Sequence, residues 1–260
     1  MDGFDRAHSA FKARLAEVAA NAAIRENYRN LFIRRTDLYS YNSMPAELKT
    51  ELDRAMALKN TEASTLYRGL ILEANAAFEL FVRQIIEAAA LEVAKKVDRY
   101  SELDKKIRDG HALNSAAVLS KLHDGEVNGN KYDFDNLQSN LGLCFSDSVK
   151  FALNTDVFAI FIGTYSPDKI KKVFEVFGIG PPFDDATGRN AAIKKWAKGA
   201  GTREARKLAQ EFLENQIKTR NLIAHGSHSL AVLASEVTDS VDFFTALADA
   251  FVEKARAIKS

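Results

Sequence analysis

Residues 61–96 read TEASTLYRGLILEANAAFELFVRQIIEAAALEVAKK. In this stretch Leu66, Leu70, Ala74, Phe78, Phe81, Val82, Ile85, Ile86 and Ala89 recur at intervals of mostly three and four. A helical winding gathers them into one wide apolar stripe. No proline interrupts the run, and Ala, Leu and Glu, which dominate it, are strong helix formers. Thr61 or Ser64 is expected to cap its start. At 1.5 Å of rise per residue the helix would be roughly 50 Å long, enough to back several partner helices. Glu79 and Arg83 lie four apart on its flank.

The rest of the chain follows the same rule. With only 4 Pro and 13 Gly as punctuation, and with 3.6-residue periodicity in its long segments, the chain is expected to be all-α. A first long helix is predicted from about Phe4 to Arg35, followed by a loop from Thr36 to Pro45 and a short polar helix to about Asn60. Residues 1–60 thus form an N-terminal helical extension, expected to pack on a domain spanning 61–260. That domain has core helices at about 61–97, 191–225 and 230–258, with an insertion at about 98–190. Within the insertion, Ala112–Leu122 suits a helix, Asp124–Asn130 reads as an exposed loop, and Val157–Ile162 is a short helix or a strand.

Composition narrows the function. Lys and Arg total 36 against 35 Asp and Glu, so no global field draws the chain to a polyanion and any such site is local. The lone Cys144, among Leu141, Leu143 and Phe145, suits a small buried apolar residue and a reducing cytoplasm. His8, His111 and His123 are too scattered to be ligands at metal-binding spacing, and no metal or cofactor is expected. No uncharged apolar run reaches spanning length, so no membrane association is expected.

The chemistry gathers at the end of the second core helix. Its stripe runs Leu208, Phe212, Leu213, Gln216, Ile217, apolar but for the glutamine, and continues to Arg220 and Asn221. His225 follows one turn past Asn221, within reach of it, and Gly226 suits the left-handed residue that closes a helix. An arginine on the inward side of a helix needs a partner or a task. A guanidinium holds phosphate through two oxygens, and histidine is the side chain whose ordinary pKa lies nearest neutrality. The pair therefore suits phosphodiester chemistry. The basic run Lys194, Lys195, Lys198, Arg203, Arg206, Lys207 and Lys218 beside it reads either as a solvated face or as an RNA contact, and Trp196 as a core anchor or a base-stacking ring.

Arg220-Asn221 followed by Ala224-His225-Gly226 resembles the Arg-polar-x-x-x-His signature of the HEPN superfamily, and the fold expected is a HEPN-type helical bundle. The segment from Tyr67-Arg68-Gly69 to Phe78–Arg83 is similar to the first core helix of the bacterial RiboL-PSP-HEPN family and its relatives, and the run Val173–Gly180, ending Phe177-Gly178-Ile179-Gly180, resembles a segment that precedes the motif there. The resemblance implies a metal-independent endoribonuclease of toxin or anti-phage defence type. It also implies a homodimer whose paired motifs form one cleft, with an antitoxin or defence-system protein as a further partner. His225 would move protons, Arg220 would hold the phosphate, Asn221 would orient the histidine or the ribose, and Glu79 would pair with Arg220. His228, Lys218 and Arg83 would touch RNA. Some relatives carry a modifiable Tyr two residues after the histidine, where this chain has Ser227.

Plainer readings stand beside these. Arg220 would serve as a structural ion pair, His225 as a helix C-cap, Asn221 as a polar side chain without further role, and Glu79 as the i,i+4 partner of Arg83. The chain would then be a non-catalytic HEPN module binding RNA, a nucleotide or a protein, or a helical interaction protein.

Overall fold

The computed structural model describes residues 2–35, 45–47, 50, 60–122, 125–127, 130–160, 165–226 and 230–259. In chain order the α-helices are α1 (Gly3–Arg35), α2 (Asn60–Ala94), α3 (Lys105–Lys121), α4 (Phe134–Phe145), α5 (Pro167–Val176), α6 (Asp185–Arg189), α7 (Ala191–Trp196), α8 (Thr202–Ala224) and α9 (Ala234–Arg256). Beside these, among the described residues, are three short 3-10 turns and one antiparallel pair, β1 (Glu126–Val127) with β2 (Asn130–Lys131). Apart from that two-residue strand pair, the described residues make an all-α protein. The expected short helix ending near Asn60 falls largely outside the described residues.

Two compact units divide the chain, one of Met1–Ala10, Glu79–Glu214 and Ala246–Ser260, the other of Phe11–Phe78 and Asn215–Thr245. In the second unit, Phe11, Leu15 and Val18 of α1, Leu70, Ile71, Ala74 and Phe78 of α2, and Val237, Val241 and Phe244 of α9 are buried. Phe78 stacks on Phe244 with ring centroids 4.8 Å apart and meets Phe11 at 6.3 Å. Such a ring contributes through its buried area and through aromatic contact, and truncating one to Ala typically costs about 3–5 kcal/mol. The buried stripe of α2 in this unit runs Tyr67, Leu70, Ile71, Ala74, Ala77, Phe78. Leu66, expected in that stripe, is 42% exposed, because the helical period places Tyr67 on the inner face instead.

In the first unit α2 continues its stripe through Phe81, Val82, Ile85, Ile86 and Ala89, all buried with Phe174, Ile193, Leu247 and Phe251. Phe174 and Phe251 meet edge-on at 5.3 Å. Helix α3 starts seven residues before the predicted one, because the Asp104 side chain accepts a hydrogen bond from the Lys106 N–H and caps it. Within the stretch read as an exposed loop, Glu126 and Val127 pair with Lys131 and Asn130, and Val127 is drawn into a small core with Val118, Leu137, Val157 and Ile160. The run beginning at Val157 is neither α-helix nor strand where described, but part of a 3-10 turn over Thr155–Phe158.

Two breaks correct the predicted core helices. The single helix expected over 191–225 is split into α7 and α8, because Lys198 (φ 53°) and Gly199 (φ 81°) are left-handed. The last helix begins at Ala234 rather than 230, where the Glu236 side chain caps the Leu233 N–H at 2.7 Å. Leu230–Val232 is held as a separate strap by Ser64 and Arg68.

Candidate active site

Helix α8 delivers the motif. Ala205, Ala209, Leu213 and Gln216 line its buried face, a progression of three and four that leads to Arg220. Arg220 and Asn221 are half-buried, while Lys218, Leu222 and His225 are exposed. The Arg220 guanidinium donates through Nη1 to Asn221 Oδ1 at 3.2 Å. The helix stops as predicted. His225 N–H donates to the Asn221 carbonyl at 3.0 Å, Gly226 N–H to the Ile223 carbonyl at 3.1 Å, and Gly226 adopts φ 83°. Only glycine takes that backbone without strain, so the chain can reverse immediately after the histidine.

The segment beyond the motif is tied back to α2. Ser64 Oγ accepts from the Val232 N–H at 2.9 Å and donates to the Leu230 carbonyl at 3.3 Å. Arg68 Nη1 donates to the same carbonyl at 3.0 Å, and its Nη2 donates to Thr65 Oγ1 at 2.7 Å. The expected capping role of Ser64 is therefore replaced by a tertiary one, one turn inside the helix. Sequence reasoning missed this strap, since nothing local marks residues 166 positions apart as partners.

The remaining candidates are His228, Glu79 and Arg83. His228 lies outside the described residues. Glu79 is half-buried on α2 within the first unit, whereas Arg220, Asn221 and His225 belong to the second. Arg83 is half-buried in the first unit, hydrogen-bonded to Tyr165 with Glu87 and Tyr132 near it. Burial works against its charge, and these partners outweigh burial to raise its pKa. Burial pushes Glu87 up, reinforced by Asp156, and Asp156 up in turn. Tyr132, in the same cluster, is pushed up to about 12 by burial. Trp196 packs edge-on against Phe212 at 5.3 Å, the anchoring role. In the basic run, Arg206 meets Asp185 at 3.1 Å and Lys207 meets Glu211 at 3.7 Å, contacts of a solvated face.

Cys144 is buried as expected, its thiol donating to the Ala152 carbonyl at 3.4 Å, and burial pushes its pKa up to about 11. Such a thiol is a structural apolar residue. Among the described residues no helix is long and apolar enough to cross a membrane.

An all-α chain in which an amphipathic helix runs out into an arginine, an amide and an exposed histidine, closed by a left-handed glycine, has the architecture of a HEPN-type domain. The RiboL-PSP-HEPN family model matches residues 38–257, and the chain belongs to that family. No curated protein and no solved structure matches it.

Proposed function

We propose that this protein is a metal-independent endoribonuclease of toxin or anti-phage defence type. The observation that carries the reading is the helix end itself, where half-buried Arg220 stands beside Asn221 and exposed His225 follows at the last turn. The RNA 2′-oxygen attacks the adjacent phosphorus as the bond to the leaving 5′-oxygen breaks. His225 transfers the proton between these two oxygens, and Arg220 neutralises the crowded phosphorane. The products carry a 2′,3′-cyclic phosphate and a 5′-hydroxyl. Asn221 holds Arg220 in the free protein and is placed to orient His225 or the ribose in the complex. Lys218, exposed on the same helix, supplies a phosphate contact.

The working form is a homodimer that brings two motifs together. Leu222, 50% exposed between Asn221 and Ile223, is the apolar residue such a face needs. A neighbouring antitoxin or defence-system protein would restrain the activity.

Labelled RNA incubated in excess EDTA tests the reading. Wild type is expected to cleave, with Arg220→Ala and His225→Ala each losing at least about 100-fold in rate. RNA bound but left intact by wild type identifies a non-catalytic HEPN module instead. Cleavage that survives both substitutions places the chemistry elsewhere.

A further inference from the structure

Gln216 is the one polar residue in the buried stripe of α8, and the ribonuclease reading leaves it without a task. It is 8% exposed, and its amide oxygen is buried without a hydrogen-bond partner among the described residues. Folding that strips water from a carboxamide oxygen and supplies no donor is unfavourable, and a leucine of similar size would avoid the cost. An orphaned acceptor of this kind points to a donor that arrives later.

Arg220, one turn further along the helix, is such a donor. Positions four apart on a helix are neighbours on one face, and Arg220 is half-buried on the same side as Gln216. Its Nη1 is turned sideways to Asn221, at 3.2 Å. A guanidinium carries five N–H donors in a rigid planar fork, so an arginine that grips a phosphate along one edge still has donors on another. We propose that Gln216 is a positioning residue, its Oε1 accepting a hydrogen bond from the Arg220 guanidinium when Arg220 leaves Asn221 to hold an RNA phosphate. The exchange fixes the plane of the fork from behind while the phosphate fixes it from in front. The inference rests on the reading of Arg220 as a phosphate ligand, and does not require that the RNA be cut.

A double-mutant cycle tests it. Affinity for a short RNA 2′-O-methylated at every nucleotide, which cannot be cleaved, is measured for wild type, Gln216→Leu, Arg220→Ala and the double variant, with urea unfolding of each. Gln216→Leu is expected to be at least as stable as wild type, because it removes an orphaned acceptor, yet to bind roughly tenfold more weakly, equivalent to about 1.4 kcal/mol. In the Arg220→Ala background the same substitution is expected to change binding less than about twofold, since its partner is gone.

Three results overturn the proposal. They are wild-type affinity in Gln216→Leu, an undiminished tenfold effect in the Arg220→Ala background, or a lowered urea midpoint with unchanged binding, the signature of a merely structural amide. If the coupling appears but unmodified RNA survives in EDTA, the ribonuclease reading fails and this inference stands. If RNA is cleaved without coupling, the reverse holds, and a wild type that binds no RNA overturns both.

Discussion

The Arg220 guanidinium donates to the carboxamide oxygen of Asn221 across 3.2 Å, a contact between adjacent residues whose side chains leave the helix in different directions. A neutral acceptor makes this hold weak enough for a phosphate to displace. Asn221→Asp replaces it with a carboxylate that competes for the same guanidinium. The expected outcome is RNA affinity about tenfold below that of Asn221→Ala, with the gap narrowing as salt is raised. Filter binding at two ionic strengths decides it, and equal affinities for the two variants would sink the idea.

The strap between Ser64 and Val232 fixes how the chain leaves the motif. Ser64→Ala removes the acceptor of the Val232 N–H, in a residue only 4% exposed, and is expected to cost about 1–2 kcal/mol by urea unfolding. Arg68→Ala removes a donor to the Leu230 carbonyl, which keeps Ser64 Oγ as a weaker partner at 3.3 Å, so its cost is smaller. Both variants are expected to cleave RNA more slowly than wild type at temperatures where they remain folded. A stability loss from Arg68→Ala exceeding that from Ser64→Ala contradicts this ranking.

His111 makes the stability of the first unit depend on pH. The ring is fully buried, its Nε2 accepts from the Asn154 N–H at 2.9 Å, and its Nδ1 lies 3.3 Å from the Tyr100 hydroxyl, which donates to the Arg108 carbonyl at 2.9 Å. An Nε2 that accepts must be unprotonated, so the ring is held neutral, and burial lowers its pKa from 6.5 to about 4. With the folded value below the unfolded one, the unfolded chain takes the proton first. The His111 contribution is complete above about pH 6.5, declines as pH falls towards 4, and is flat below, a loss of at most about 3 kcal/mol. Glu87 and Asp156, both raised by burial, act in the opposite sense. The measurement is therefore the difference between wild type and His111→Leu in urea unfolding at pH 7.5, 5.5 and 4.5. His111→Leu is expected to be the less stable at pH 7.5, because Asn154 loses its acceptor, and to narrow the gap at lower pH. A constant difference across the series would rule the linkage out.

Gly188 closes α6 against the start of α8. A Cβ there would lie 2.2 Å from the Thr202 carbonyl oxygen, which is backbone and cannot swing aside. Gly188→Ala is expected to lower stability by about 1–3 kcal/mol or more. Adding Thr202→Ala removes only the Cγ2 contact at 3.1 Å and is not expected to restore it. Full rescue in the double variant would show that the side chain, not the carbonyl, is the obstacle.

Much of the fold is legible in periodicity because a helix of several turns repeats its apolar signal every three or four residues. The stripe from Leu70 to Ala89 and the left-handed stop at Gly226 could be read in this way. Short elements carry too few repeats to be read so. Val127 became a strand residue and Val157 part of a 3-10 turn through burial in one shared core. Lys198 ended α7 with a left-handed backbone that its own residue type does not favour.

The motif shows the same division. By itself the sequence determined that Arg220, Asn221 and His225 lie near the end of an amphipathic helix and that Gly226 closes it, since bonds between residues three and four apart set both. Only the tertiary structure decided that Ser64 and Arg68 hold the outgoing chain, that Arg83 turns to Tyr165, and that the oxygen of Gln216 is buried with no partner among the described residues. Those outcomes depend on which groups from distant parts of the chain lose water together, and no local spacing records that.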